Sequence, residues 1–136
     1  MEEAGSYVEV MRRHGLDTVF LAAPTSSERR VRLVAKYSTG FVYLVSRTGV
    51  TGERDSVSEA VAPLVRSMRQ VCDLPIAVGF GISRPEHMAE LGGLADAAVV
   101  GSAFVRLIEQ NAGNPSLEIQ LECLARELKH GFALGG

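Results

Sequence analysis

No stretch of this 136-residue chain approaches the roughly 18 consecutive apolar residues that a membrane-crossing helix needs. Excess positive charge is lacking too. Lys and Arg number 14 against 16 acidic residues, a formal net charge of -2. That balance argues against the broad electrostatic footprint of a nucleic-acid binder. Cysteine is scarce: Cys72 and Cys123 lie far apart, with neither a CxxC pair nor Cys/His ligand spacing. They read as two mostly buried thiols of a reducing compartment, and no metal site is expected. Met1-Glu2-Glu3 is acidic with no apolar stretch behind it, so no signal peptide is expected and the chain reads as cytoplasmic. Linkers and low-complexity tracts are also absent, which leaves one domain over residues 1–136. With 46% apolar and 22% charged residues, the composition is that of a globular chain with one core.

What is present is an alternation of short apolar runs and helix-period segments, the pattern of a parallel α/β sheet. Glu3 to His14 reads as a helix ended by Gly15, and Thr18 to Ala23 as a strand covered on both faces. Thr25 and Glu28 have capping-box spacing, opening a helix to about Tyr37. The strand Phe41 to Ser46 follows. Val57, Ala60, Val61, Leu64, Val65, Met68 and Val71 then form a helical stripe behind a second such pair, Ser56 and Glu59. Ile76 to Phe80 is a third strand, and Ser83, Pro85 and Glu86 open the next helix. Ala97 to Val100 is a fourth strand. Helices then run from Ser102 to about Asn111 and from Asn114-Pro115 onward, the second with Leu117, Leu121, Leu124 and Leu128 on one face. Gly131 to Gly136 is expected to fray. Four parallel strands leave two open edges and, if curved, an exposed apolar inner face, so self-association or a partner is expected to cover them.

Three glycine-bearing turns each close one of these strands: Ser46 to Gly52, Gly79-Phe80-Gly81-Ile82-Ser83, and Gly101-Ser102-Ala103. In a parallel β/α fold all three lie at the carboxyl end of the sheet, where backbone N–H groups can converge on a phosphate dianion. Each has a plainer reading alone. Thr48 to Gly52 can be a turn needing positive φ, Gly79 and Gly81 can serve only to avoid a clash, and Ser102 can be an ordinary N-cap. On successive strands of one sheet they reinforce each other.

The run Tyr43-Leu44-Val45-Ser46-Arg47-Thr48-Gly49-Val50-Thr51-Gly52, with the turns at Gly79 to Ser83 and Gly101 to Val105, resembles the tryptophan synthase alpha chain. The SR-x-GVTG string is more specific to that family than the glycine loops of other phosphate-binding barrels. The resemblance spans essentially the whole chain. It implies half of a TIM (β/α)8 barrel: four parallel strands with flanking helices, equivalent to the family's fifth to eighth units. It also implies a role in tryptophan biosynthesis, the aldol cleavage of indole-3-glycerol phosphate to indole and glyceraldehyde 3-phosphate. In the family the indole passes to a beta chain that uses pyridoxal phosphate; the alpha chain itself needs no cofactor. By resemblance, Gly52, Gly81, Gly101 and Ser102 match phosphate-contacting positions. Leu21, Tyr43, Thr51 and Phe80 match positions that line the indole pocket. Without the family, Leu21 reads more readily as core, and core packing competes for Tyr43 and Phe80 as well.

The reaction needs a general acid at the indole carbon and a base for the glycerol hydroxyl. In the family both are carboxylates near the second strand, in the half this chain lacks. Asp17 and Asp96 precede their strands and so lie at the wrong end of the sheet, Glu53 reads as a solvated loop acid, and Arg47 stays protonated. His14, His87 and His130 read as surface residues. No residue here is assigned to proton transfer, so the chain is expected to bind phosphate esters without catalysing alone, awaiting an amino-terminal half. A non-catalytic dimeric phosphate-binding half-barrel is the alternative.

Overall fold

The computed structural model describes residues 4–45, 57–79 and 85–136. Among them are six helices and four strands: α1 (Ala4–Arg13), β1 (Leu21–Ala22), α2 (Glu28–Tyr37), β2 (Val42–Val45), α3 (Val57–Arg69), β3 (Ile76–Gly79), α4 (Pro85–Gly92), β4 (Ala97–Val99), α5 (Ser102–Gln110) and α6 (Leu117–Leu134). The strands form one sheet in the order β1-β2-β3-β4, every pair parallel. In-register columns cross it as Leu21, Tyr43, Ala77, Ala97 and as Ala22, Leu44, Val78, Ala98.

The two faces differ sharply, because side chains alternate along a strand. Ala22, Val42, Leu44, Ile76 and Val78 are buried in one cluster with Val31 and Val34 of α2, Val61, Leu64, Val65 and Met68 of α3, and Met88 and Leu91 of α4. Leu128 of α6 joins the same cluster. The other face carries Leu21, Tyr43, Val45, Ala97 and Val99, none of them in that cluster; Leu21 is 48% and Val99 40% exposed. Helices therefore cover one face only, the cross-section of an opened barrel.

Several boundaries depart from the sequence reading, each for a local reason. β1 is two residues long where Thr18 to Ala23 was expected. The Thr18 and Phe20 N–H groups donate to the hydroxyls of Thr39 (2.9 Å) and Ser38 (3.2 Å), in place of ladder carbonyls. Thr18, itself buried, donates its hydroxyl to the Tyr37 carbonyl at 2.6 Å. α2 is capped by Ser27, whose hydroxyl accepts from the Arg30 N–H, and not by Thr25. A turn from the Ser26 N–H to the Ala23 carbonyl and an Ala23 N–H bond to the Ser26 hydroxyl use up the preceding residues. Val71 lies beyond the end of α3 and is exposed, so the buried stripe stops at Met68.

α1 ends as expected at Gly15, whose φ of 68° lets the Leu16 N–H reach back to the Met11 carbonyl at 2.9 Å. The carboxyl end does not fray. α6 continues to Leu134, and its last turn lies backbone to backbone on α4. A Cβ on Gly135 would fall 1.7 Å from the Ala89 carbonyl oxygen, and one on Gly92 would fall 2.1 Å from that of Phe132. The thiols also depart from expectation: Cys72 is half-buried and Cys123 exposed, both unpaired. No helix among the described residues is long and apolar enough to cross a membrane.

Candidate functional site

Four of the eight candidate site residues are described: Leu21, Tyr43, Gly101 and Ser102. Thr51, Gly52, Phe80 and Gly81 lie outside the described residues, as do Arg47 and Glu53.

Leu21 and Tyr43 are register partners on neighbouring strands and both stand on the uncovered face. That placement keeps both out of the buried cluster under the helices. Tyr43 leans along its strand toward the carboxyl end, across Gly79 of β3. A Cβ built on Gly79 would lie 2.0 Å from the Tyr43 hydroxyl oxygen and 2.4 Å from Cε2 and Cζ. Gly79 is therefore the seat of the ring: the plainer reading of this glycine, clash avoidance, holds for it. The sequence carries no sign of the contact, because it depends on the parallel register between β2 and β3.

Gly101 and Ser102 follow β4 at the carboxyl end of the sheet, two and three residues past Val99, which is level with Gly79. Gly101 is the N-cap of α5, and no side chain caps this end. Ser102 is thus the first helical residue, so the ordinary N-cap reading fails for it. Both residues are exposed. The first-turn N–H groups of such an end, with the positive pole of the helix dipole, favour an anion.

The acids are placed as the sequence requires. Asp96 sits just before β4, at the opposite end of the sheet, and accepts from the Ile76 N–H and the Arg69 guanidinium, each at 2.7 Å. The Ile76 N–H holds its carboxyl below the usual range; burial opposes this, and the Arg69 guanidinium adds to the lowering. It is a structural clamp between α3, β3 and β4. Asp17 lies at the same amino end, its Cβ 3.1 Å from where one on Gly40 would be. His14 and His130 are exposed, but His87 is half-buried, its Nδ1 enclosed without a hydrogen-bond partner, contrary to its reading as a surface residue. Among the described residues, no group of three or more His, Cys, Asp or Glu is arranged to hold a metal ion.

A one-sided parallel sheet with flanking helices defines the class: half of a β/α barrel. The family model described as tryptophan synthase alpha chain matches residues 1–133. A tryptophan synthase alpha chain from Solibacter usitatus is 71% identical over 132 residues, which cover 97% of this chain and 49% of that protein. One from Geotalea daltonii is 46% identical over 97% of this chain and 50% of its own length. Among solved structures, a tryptophan synthase chain from Mycobacterium tuberculosis superposes with a TM-score of 0.82 at 35% identity, over 98% of this chain and 49% of that one. A mutant alpha-subunit from Pyrococcus furiosus gives 0.80 at 37% identity, over 96% and 51%. This chain belongs to the tryptophan synthase alpha chain family. It spans about half the length of the curated relatives it matches.

Proposed function

We propose that the chain is the phosphate- and indole-binding half of a tryptophan synthase alpha barrel, which in the whole protein cleaves indole-3-glycerol phosphate and hands indole to a beta chain. The observation that carries the reading is the uncovered face, where Leu21 and Tyr43 stand side by side below a helix end that favours anions. An aromatic and an aliphatic wall suit the indole ring, while backbone donors around Gly52, Gly81, Gly101 and Ser102 suit the phosphate, with Thr51 and Phe80 completing the pocket. Proton transfer is assigned, by the resemblance, to carboxylates of the other half of the barrel. The acids that precede strands, Asp17, Asp73 and Asp96, lie at the far end, and one oxygen of Asp96 is held in the clamp by Ile76 and Arg69.

Thermal unfolding with added ligand tests this. Ligand at 100 times its Kd stabilises by about 2.7 kcal/mol, so binding is readable as a raised Tm. Indole-propanol phosphate should raise Tm more than glycerol phosphate. Tyr43→Ala should narrow that difference, and Ser102→Glu should weaken both ligands by placing a carboxylate beside the phosphate. Equal shifts with both ligands would remove the indole assignment. The isolated chain should release no indole from indole-3-glycerol phosphate, since losing one acid–base group costs about 10²- to 10⁴-fold and the resemblance places both in the other half of the barrel. Turnover that survives Glu53→Ala would overturn the assignment of those groups elsewhere.

A further inference from the structure

The helices carry three Glu–Arg pairs at i,i+4 spacing with the glutamate first: Glu9 and Arg13 on α1, Glu28 and Arg32 on α2, Glu122 and Arg126 on α6. This order and spacing favour an ion pair. The first and third pairs are closed, on well-exposed side chains. Glu28 and Arg32 are not: among the described residues neither side chain has an ion-pair or hydrogen-bond partner. What sets them apart is their place. Both line a cavity of about 300 Å³ in the groove between α2 and α3. Val31 and Leu64, buried members of the core, also line it, with the exposed Val71 beside them. From α3 come Ser67 and Gln70, one turn apart, whose side chains likewise have no hydrogen-bond partner. No described residue lining this groove belongs to a strand, so it is separate from the open sheet face.

We propose that the α2–α3 groove binds a small zwitterion, an α-amino acid with a branched apolar side chain. Its ammonium meets the Glu28 carboxylate. Its carboxylate takes the Arg32 guanidinium, with the Ser67 hydroxyl and the Gln70 amide as further donors. The side chain rests on Val31, Leu64 and Val71. Residues four apart on a helix hold their Cβ atoms about 5–6 Å from each other, a span that the two charged ends of one amino acid can serve together. A plain anion would meet the Glu28 carboxylate as a like charge, and a plain cation would meet Arg32; only a ligand with both signs satisfies the two. Exposed charge pairs are individually weak, so a dissociation constant on the order of 1 mM is expected. None of this depends on the phosphate and indole assignments.

The probe is L-leucine, titrated into the purified chain and read by backbone amide chemical shifts and by Tm. Saturable shifts are expected at residues 26–32 and 63–71, with a raised Tm because the ligand bridges two helices. Leucinamide lacks the carboxylate and 4-methylpentanoate lacks the ammonium; each should bind about fivefold more weakly than leucine. Arg32→Gln should weaken leucine to the level of leucinamide, and Glu28→Gln to that of 4-methylpentanoate. Both positions are exposed, so the helical signal of each variant should match that of the wild type. If 4-methylpentanoate binds as tightly as leucine, the groove is a plain anion site and the zwitterion assignment is wrong. Unchanged leucine binding in either variant would overturn it as well. Shifts scattered over the surface, or none in the groove, would remove the site itself.

Discussion

Replacing Gly79 by alanine brings a methyl carbon to within 2.0–2.4 Å of three Tyr43 atoms. Ordinary contact needs about 3.5–4.0 Å, so the ring must retreat by more than 1 Å. Tyr43 is half-buried on the uncovered face and can swing outward, which places the cost in the usual overpacking range of about 1–3 kcal/mol. Tyr43→Ala removes the obstacle, so Gly79→Ala should cost almost nothing in that background. The cycle of wild type, two single variants and the double variant, read by urea unfolding, should show a coupling of about 1–3 kcal/mol. Tyrosine emission should report the displaced ring in Gly79→Ala. Purely additive effects would refute the reasoning, because the two positions would then not share the space assigned to them.

Three further outcomes follow from the packing. Gly135→Ala has no such escape, because the obstructing atom is the Ala89 backbone carbonyl; it should lower stability by about 3 kcal/mol or more, and differential scanning calorimetry checks this. Thr18→Val strands the Tyr37 carbonyl in a buried site and should cost about 1–3 kcal/mol by urea denaturation. Asp96→Asn tests the clamp through pH. A carboxyl held below its usual range contributes stability that is full above the ordinary pKa of about 3.9 and is lost as pH falls through the lowered value. The gap in unfolding free energy between wild type and Asp96→Asn should therefore be constant at neutral pH and close in acid; a gap that widens in acid would contradict the clamp.

The glycine turns and the apolar runs make the parallel sheet legible in the sequence; the continuous run Thr18 to Ala23 predicts a strand covered on both faces, whereas helices cover one face only and Leu21 on the other is 48% exposed. The assignment of Tyr43 and Leu21 to a pocket comes from family resemblance alone, and their place on the open face was not legible in the sequence. Nothing local distinguishes a half-buried tyrosine on an open face from one in a core, and the difference lies in the register between β1, β2 and β3. Gly131 to Gly136 misled for a related reason. Glycine at a chain end usually signals fraying, but Gly131 and Gly135 here permit a backbone contact with α4 that no spacing within α6 could reveal. Ser27 displaced Thr25 as the cap because Ser26 and Ala23 had already formed a turn, a competition among neighbouring hydroxyls.

The column Leu21, Tyr43, Ala77, Ala97 runs from two bulky side chains to two methyl groups, and Gly79 lies one step higher. At that level the Tyr43 ring lies over Gly79 and Val99 of β4 stands beside it on the same face. A flat guest resting on Ala77 and Ala97 would have the tyrosine on one flank. The described residues meet such a ring from one side of the sheet, and how tightly it is held depends on what stands across the gap.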